Sequence, residues 1–271
     1  MRMMWVLVAL AVGYSALLGG MYVGQRGLMY HPNDRAPMPA AYGLADMAAV
    51  QVPAHDGLKL HGWWKAPREA SLPTLLYFHG NAGNLDDRAG RARFLIDQGY
   101  GLLMLTYRYN AGAGGAPSEE ALIADGRASV DWLGQEQAIT RDTLVLYGES
   151  LGSGVVSALA GEGRAAAVII DGGYDSAANV AQAAYPFVPA KWLLKDKFDN
   201  AAHLARAEGV AKLIVHGARD RIVPPSRATA LYQAAAEPKR LEILENAAHS
   251  DLYEHGMVDL LRDFLAETFP Q

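Results

Sequence analysis

One stretch near the middle of the chain, residues 143–154, restricts the fold more than any other. It reads Thr-Leu-Val-Leu-Tyr-Gly-Glu-Ser-Leu-Gly-Ser-Gly, so a short apolar run ends in a Gly-x-Ser-x-Gly motif. Apolar residues then recur at helical spacing, which predicts a strand, a sharp turn and a helix with Ser150 at the apex. Gly148 and Gly152 would lack the Cβ atoms that clash where the chain passes close to itself. The motif is weak by itself and needs its structural context.

Length and charge exclude several classes of protein. A chain of 271 residues predicts one large domain or two small ones, with enough residues for a sizeable core. The net charge of -5 and the lack of a basic cluster argue against a nucleic-acid partner. The sequence has no cysteine, which excludes disulfides, thiolate metal ligands and a cysteine nucleophile.

The N-terminal part of the chain predicts a membrane anchor. Residues from Trp5 to Gly24 include no charged side chain, and a helix of about 20 residues, roughly 30 Å long, matches a bilayer core. We assign residues 1–24 to a retained transmembrane helix and the proline-containing residues 25–42 to an extended tether. A cleaved signal peptide is the alternative, although the apolar stretch is long for one. Flanking charges leave the orientation open, with the extracytoplasmic side favoured for the domain.

The rest of the chain, residues 43–271, predicts an α/β domain. Two strands flanking residues 55–57 indicate an antiparallel hairpin, and continuous apolar strands then alternate with helical patterns. This alternation predicts a mostly parallel sheet with helices on both faces. An aromatic-rich insertion at about 172–200 interrupts it and suggests a small cap over the strand ends. Strands are predicted at 48–52, 59–64, 74–78, 102–107, 143–147, 168–170, 212–216 and 241–244, and helices at 85–98, 119–133, 227–236 and 251–269.

Three side chains in loops after strands form a candidate catalytic set. In an open parallel sheet, ligands bind beyond the carboxyl ends of the strands, which is where these loops meet. Ser150 is the candidate nucleophile, His249 after the last strand the candidate base, and Asp220 the candidate acid, in the chain order Ser, Asp, His. Asp171, at the end of an earlier strand, is the main competitor for the acid.

Two backbone groups are candidates for an oxyanion hole. The loop 79–84 reads His-Gly-Asn-Ala-Gly-Asn after an apolar strand, and glycines allow backbone N–H groups to face a ligand. We predict that the N–H groups of Asn81 and Leu151 form the pair, with Ala82 as the alternative to Asn81. A phosphate-binding loop is disfavoured because no Gly-Lys-Ser/Thr follows.

With these residues in place, the chain resembles the α/β-hydrolase superfamily, and within it the small membrane-tethered serine hydrolases of the bud-emergence-like group. The resemblance implies an α/β-hydrolase fold with a Ser-Asp-His triad. The chemistry of such a triad needs no metal or organic cofactor, so none is expected. Two segments depart from the family pattern, 109–111 and 172–174, and both are expected to line the site. The matching segments are Leu-Met-Tyr-His-Pro at 28–32, the loop 79–84, Gly-Glu-Ser-Leu-Gly at 148–152, Tyr-Pro through Trp-Leu-Leu at 185–194, His-Gly with Asp and Pro at 216–224, and Ala-His at 248–249.

These observations predict a serine hydrolase that cleaves a carboxylic ester, most simply one with a short or medium acyl chain. The expected partners are a small-molecule ester and the membrane that holds the N-terminal helix; the oligomeric state stays open. The resemblance also covers acyl-protein thioesterases and serine-peptidase-like hydrolases, and these are the alternatives. A non-catalytic membrane-tethered binding module is a remote alternative. Because a tether should separate the helix from the domain, we expect the helix to be dispensable for the chemistry.

Overall fold

A computed structural model describes residues 1–270. The chain begins with a long helix and continues into an α/β domain with an eight-stranded sheet. The strands are β1 (Ala48–Pro53), β2 (Lys59–Lys65), β3 (Thr74–Phe78), β4 (Gly101–Leu105), β5 (Leu144–Glu149), β6 (Ala167–Asp171), β7 (Ala211–Gly217) and β8 (Lys239–Leu244). The helices are α1 (Arg2–Met29), α2 (Ala89–Asp97), α3 (Glu119–Gln137), α4 (Gly152–Gly161), α5 (Ala177–Ala184), α6 (Ala190–Leu193), α7 (Asn200–Leu204), α8 (Pro225–Ala234) and α9 (Met257–Thr268).

The sheet has the order β1-β2-β4-β3-β5-β6-β7-β8. The first two strands form the predicted antiparallel hairpin, and β2 also pairs antiparallel with β4. From β4 to β8 all neighbours are parallel. The carboxyl ends of these parallel strands therefore meet at one edge, where the loops carrying the candidate residues emerge.

Both faces of the central sheet are buried, which explains why its strands are continuously apolar rather than alternating. Leu75 and Tyr77 of β3 belong to a core cluster that includes side chains of α2 and α9. Leu76 and Phe78 of the same strand belong to a second cluster, which includes side chains of α3, α4 and α8. Successive residues of a strand thus enter opposite cores, as the strand period of two requires.

Three predicted helices differ from the structure by more than a shift of two residues at each end. The predicted helix 85–98 is a short 3₁₀ turn capped by the Asn84 side chain, followed by α2. Helix α3 passes through Gly134, because one internal glycine costs only about 1 kcal/mol, and it ends at Gln137, before Ala138 adopts a left-handed conformation. The predicted helix 251–269 breaks at Gly256, whose φ of 111° separates a 3₁₀ turn from α9.

Helix α1 is longer than the sequence predicts and is docked rather than held away from the domain. It continues to Met29, so the first part of the predicted tether is helical. Its Arg26 forms an ion pair with Asp196 in the insertion between β6 and α7. The expectation of a separating tether is therefore wrong. We call residues 172–200 the cap. Within residues 1–270, α1 alone has the length and apolar composition of a membrane-spanning helix, a description that a signal sequence also meets.

Candidate active site

The turn between β5 and α4 holds Ser150 in the strained conformation that the motif predicts. Its φ is 48°, a left-handed value that is uncommon for a residue with a side chain. A Cβ on Gly152 would collide with the carbonyl group of Phe78, and a Cβ on Gly148 would lie 2.7 Å from the carbonyl carbon of Gly152. The Ser150 N–H donates to the Asp171 carbonyl across 2.8 Å. The two glycines thus allow the close backbone passage that presents the serine hydroxyl beyond the sheet.

The structure brings Ser150, His249 and Asp220 into one hydrogen-bonded chain. The His249 Nε2 lies 3.0 Å from the Ser150 Oγ. The His249 Nδ1 lies 2.6 Å from the Asp220 Oδ2. This arrangement fits an imidazole that carries its proton on Nδ1 and accepts the hydroxyl proton at Nε2. The loops after β5, β7 and β8 supply the three side chains, in the chain order that the sequence predicts.

The surroundings of Asp220 keep it ionised. Burial opposes ionisation, but hydrogen bonds from His216 and His249 and from the Val223 N–H hold the pKa of Asp220 well below its ordinary value. Its other oxygen, Oδ1, accepts the N–H groups of Ile222 and Val223, both at 2.8 Å. A carboxylate held by this many donors is fixed in place and stays negative.

The negative charge of Asp220 raises the pKa of His249. Burial lowers the pKa of His249, but the hydrogen bond and the charge of Asp220 outweigh burial, and Asp171 and Glu149 add smaller contributions. The pKa of His249 is therefore raised above its ordinary value of 6.5. An imidazole with a raised pKa is a stronger proton acceptor, which suits a general base.

Asp171, the competing candidate for the acid, has other partners. Its Oδ2 accepts the Tyr147 hydroxyl at 2.7 Å and lies 3.4 Å from the Arg91 guanidinium. Burial raises its pKa, against the attraction of Arg91. It makes no hydrogen bond to His249 within residues 1–270. The geometry thus favours Asp220.

The backbone N–H groups of Asn81 and Leu151 are candidates for the oxyanion hole near Ser150. Asn81 and Leu151 line the same cavity as Ser150, whereas Ala82 does not. Within residues 1–270, neither N–H donates to a protein acceptor, and Leu151 occupies the N-cap position of α4, where backbone donors are free. The Asn81 side-chain oxygen is also buried without a partner. This placement favours Asn81 over Ala82 as the partner of Leu151.

A cavity of about 330 Å³ opens at the serine. Its size is that of a small-ligand site, and most of its wall is apolar. Three parts of the chain form it: the last turns of α1, the cap, and the loops around the nucleophile. The lining residues are Met21, Tyr22, Gln25, Leu28, Met29, Asn81, Ser150, Leu151, Tyr174, Ala177, Val180, Ala181, Ala184, Tyr185, Val188, Ala190, Leu193, Leu194, Ile222 and Val223.

The two segments that depart from the family pattern behave differently. Tyr174 lines the cavity, and a Cβ on Gly172 would lie 3.5 Å from the His249 ring. Tyr109 instead packs between the rings of Tyr30 and Tyr107, away from the cavity. The expectation that 109–111 lines the site is therefore wrong, because its tyrosine is part of the core.

A buried ionic network beneath the site was missed by sequence reasoning. Glu149 accepts two hydrogen bonds from Arg88, at 2.6 and 3.1 Å, one from Arg91 at 2.7 Å and one from the Tyr77 hydroxyl at 2.6 Å. Arg91 also donates to the Ser250 carbonyl, next to the base. The network therefore links the nucleophile turn to the His249 loop. In the sequence, this network is signalled only by Glu149, at the first x of Gly-x-Ser-x-Gly, and by Arg88 and Arg91, which are three residues apart.

One other group of side chains has the composition of a cation site. Among residues 1–270, His55, Asp56 and Asp125 place their ligand atoms within 4.8 Å of one another. The Arg108 guanidinium contacts all three, at 3.2, 3.1 and 2.7 Å. Since a positive group already neutralises these donors, the cluster is explained as an arginine-centred ion-pair network.

Comparison with known proteins finds relatives along most of the chain. An uncharacterised protein of Mycobacterium tuberculosis (strain H37Rv) is 33% identical over 272 residues, covering 98% of this chain and 96% of its own. Protein bem46 of Schizosaccharomyces pombe is 26% identical and covers 96% of this chain and 92% of its own. The α/β-hydrolase domain-containing protein WAV2 of Arabidopsis thaliana is 28% identical, over 76% of this chain and 73% of its own. No family model matches the chain.

Solved structures share the fold. The Pyrococcus furiosus esterase Pf2001 superposes with a TM-score of 0.69 over 88% of this chain and 97% of its own, at 18% identity. An identity this low shows the architecture alone. Together with the sheet order, it confirms the fold class that the sequence predicts.

Proposed function

Because the chain belongs to the bem46-like group of the α/β-hydrolase superfamily, we propose that it is a serine hydrolase that cleaves carboxylic esters. The observation that carries the proposal is the hydrogen-bonded chain from Ser150 through His249 to Asp220 at the mouth of an apolar cavity. The names of several structural neighbours, among them the Pyrococcus furiosus esterase, agree with an ester-cleaving activity.

In the acylation step, the Ser150 Oγ attacks the acyl carbon of the ester and passes its proton to the His249 Nε2. The serine needs this help because its hydroxyl is a weak nucleophile at neutral pH. Negative charge develops on the former carbonyl oxygen and is stabilised by the N–H groups of Asn81 and Leu151, each contributing roughly 3 kcal/mol. The carbon–oxygen bond to the alcohol then breaks, and the alcohol leaves with the proton from His249.

In the deacylation step, water attacks the acyl group on Ser150, and His249 accepts a proton from that water. The same two N–H groups stabilise the second oxyanion, and the acid departs when the serine recovers its proton. Asp220 holds the imidazole tautomer and stabilises the imidazolium in both steps. All of these steps use groups of this chain, so no cofactor is required.

The acyl group fits the cavity better than the alcohol does. Most of the cavity wall is apolar, with side chains such as Val180, Ala181 and Leu194, which offer no hydrogen bond to a polar leaving group. Burial of the methylene groups of an acyl chain against such a wall stabilises the complex by about 0.8 kcal/mol for each group. An ester with a short or medium acyl chain matches the cavity.

We place the domain at a membrane. Helix α1 has 28 residues, about 42 Å of helix, and none of its residues is fully buried in the protein. A retained span explains this exposed apolar surface. The hydrogen bonds of its C-terminal part to the cap argue further that α1 stays attached to the domain.

Substitution of the nucleophile tests the proposal. Ser150→Ala should lower kcat on p-nitrophenyl acetate by several orders of magnitude and abolish labelling by a fluorophosphonate probe, with the fold intact. Ser226→Ala, at an exposed serine of α8, is the matched control and should change neither. A Ser150→Ala enzyme that kept more than a tenth of the wild-type kcat would overturn the proposal. A panel of matched acyl esters and acyl thioesters then separates esterase from thioesterase activity.

A further inference from the structure

Helix α1 contributes one wall of the cavity. Met21, Tyr22, Gln25, Leu28 and Met29 all line it, and this spacing marks one face of the last turns of the helix. Met21, Gln25 and Met29 are half-buried, while their neighbours on the other faces are exposed. The wall is therefore a stripe along the helix and not a chance contact at its end.

Polar contacts hold this stripe against the cap. Arg26 donates to both carboxylate oxygens of Asp196, at 2.8 and 3.0 Å. The Gln25 side chain donates to the Leu193 carbonyl at 3.2 Å and accepts the Lys195 N–H at 2.7 Å. Gln25 both donates and accepts, and Arg26 binds its carboxylate in a bidentate manner, so these contacts fix the helix in both position and rotation.

The docked part of α1 overlaps the part that must lie in the bilayer. Contacts with the cap reach back to Tyr14, whose hydroxyl donates to the Phe187 carbonyl. Only about 18 Å of helix precedes Tyr14, and this length is too short to cross a hydrocarbon core of about 30 Å. A spanning α1 therefore places the cap contact of Tyr14 at membrane depth. The cap must dip into the near leaflet beside the helix.

The surface of the cap has the composition that this position requires. Tyr185, Phe187 and Trp192 are exposed, and Trp192 keeps 87% of its surface accessible. Tyrosine and tryptophan favour the membrane interface, because their rings are apolar and their polar atoms stay near the headgroups. Lys191 and Lys195 are exposed beside them and can extend to the headgroups. The Lys195 ammonium lies 4.3 Å from the centre of the Tyr22 ring.

We propose that the cavity is an acyl-chain site loaded from the bilayer, between α1 and the cap. This inference rests on the proposed esterase function and specifies its substrate as the acyl chain of a membrane-resident amphiphile. The acyl chain of the substrate moves along the stripe of α1 until its carbonyl group reaches Ser150. The Ser150 Oγ then forms a bond to the acyl carbon, and the bond between that carbon and the oxygen or sulfur of the headgroup breaks. The freed headgroup takes the proton from His249 and leaves towards water. A glycerolipid and an acylated protein share this chemistry.

The first experiment fills the site. Full-length protein in detergent is assayed with p-nitrophenyl acetate and p-nitrophenyl octanoate, and the ratio of the two kcat/KM values is compared between variants. Ala181→Trp, in the wall on α5, should lower the octanoate-to-acetate ratio at least tenfold. Ala183→Trp, on an exposed position of the same helix, is the matched control and should keep the wild-type ratio. An unchanged ratio in Ala181→Trp would overturn the acyl site.

The second experiment tests loading from the bilayer. The double variant Phe187→Ser/Trp192→Ser changes two exposed side chains that do not line the cavity. Reconstituted in phosphatidylcholine vesicles, it should lose at least tenfold in rate on an octanoyl substrate embedded in the same vesicles, yet match wild type on soluble p-nitrophenyl acetate. Equal rates on the embedded substrate would overturn loading from the bilayer.

The choice of embedded substrate separates the two sources of acyl chain. One arm uses a dioctanoyl glycerolipid and the other an S-octanoyl peptide with a membrane anchor; faster turnover of one identifies the source, and turnover of neither by wild type overturns the inference. Wild-type activity on p-nitrophenyl acetate that depends on Ser150 keeps the proposed function standing in that case. Loss of that activity too would overturn the proposed function itself.

Discussion

Asp220 and Asp171 lie near the same imidazole, but only Asp220 bonds to it. Asp220→Asn should lower kcat by about 10⁴, because an amide leaves His249 in the wrong tautomer. Asp171→Asn removes a negative charge beside Arg91 but keeps an oxygen that can accept the Tyr147 hydroxyl, and it should lower kcat by less than about tenfold. Steady-state kinetics on a soluble ester, with circular dichroism to check the fold, compares the two. The reverse order of effects would move the acid to β6.

The raised pKa of His249 sets the pH dependence of the reaction. The base must be neutral to accept the serine proton, so kcat/KM falls as the pH drops through the His249 pKa in the free enzyme. Since that pKa is raised, the acidic limb should be centred above pH 6.5. Asp220, whose pKa is lowered, stays ionised across this range and adds no limb. A pH–rate profile checks this, and a single limb near pH 4 would point to a carboxylate as the base.

At the scale of elements, the Glu149 network connects the nucleophile turn, α2 and the loop after β8. Burial opposes ionisation of Glu149, but Arg91 and Arg88 lower its pKa to about 2, below the ordinary 4.5. Its contribution to the free energy of unfolding is therefore complete above pH 4.5 and is lost as the pH falls towards 2. The network thus supports the loops that hold Ser150 and His249.

Removing the Glu149 charge tests this network. Glu149→Gln leaves the half-buried guanidinium groups of Arg88 and Arg91 without their closest counter-ion and should lower the free energy of unfolding by about 3–5 kcal/mol at neutral pH. Glu162→Gln, at an exposed carboxylate that pairs with Arg127, is the control and should change the free energy of unfolding by less than about 1 kcal/mol. Urea denaturation at pH 7 measures both. Equal effects would show that the network is not a stabilising element.

The order of strands and helices was predictable from the sequence because the patterns that indicate them are local. Apolar strand runs and helical periods lie within short windows, and the glycines around Ser150 reflect a close backbone passage that the motif itself encodes. The pairing of Asp220 with His249 followed from chain order in the fold. The Glu149 network and the docking of α1 depend on contacts between distant segments, such as Arg26 with Asp196, and periodicity carries no information about them.

At the scale of the whole molecule, the proposed membrane span of α1 predicts where the protein resides. Full-length protein should stay with membranes through a high-salt and carbonate wash, because an apolar helix is not held by charge. Fractionation followed by intact-mass measurement checks this. Release of full-length protein by the wash would contradict a span. A mature chain that begins beyond Gly24 would show a cleaved signal peptide instead, and would lack the wall residues Met21 and Tyr22.

The two proposed roles of α1, as a membrane span and as a wall of the acyl site, should also constrain its evolution. A helix that only anchored a domain could exchange Leu, Val, Ile and Ala at almost any position, since lipid tails accept all of them. The stripe from Met21 to Met29 meets the proposed substrate, so drift there should be slow and should follow acyl-chain preference, while the opposite face should vary freely. Alignments of relatives should therefore show substitution rates in α1 that oscillate with the helical period of 3.6 residues.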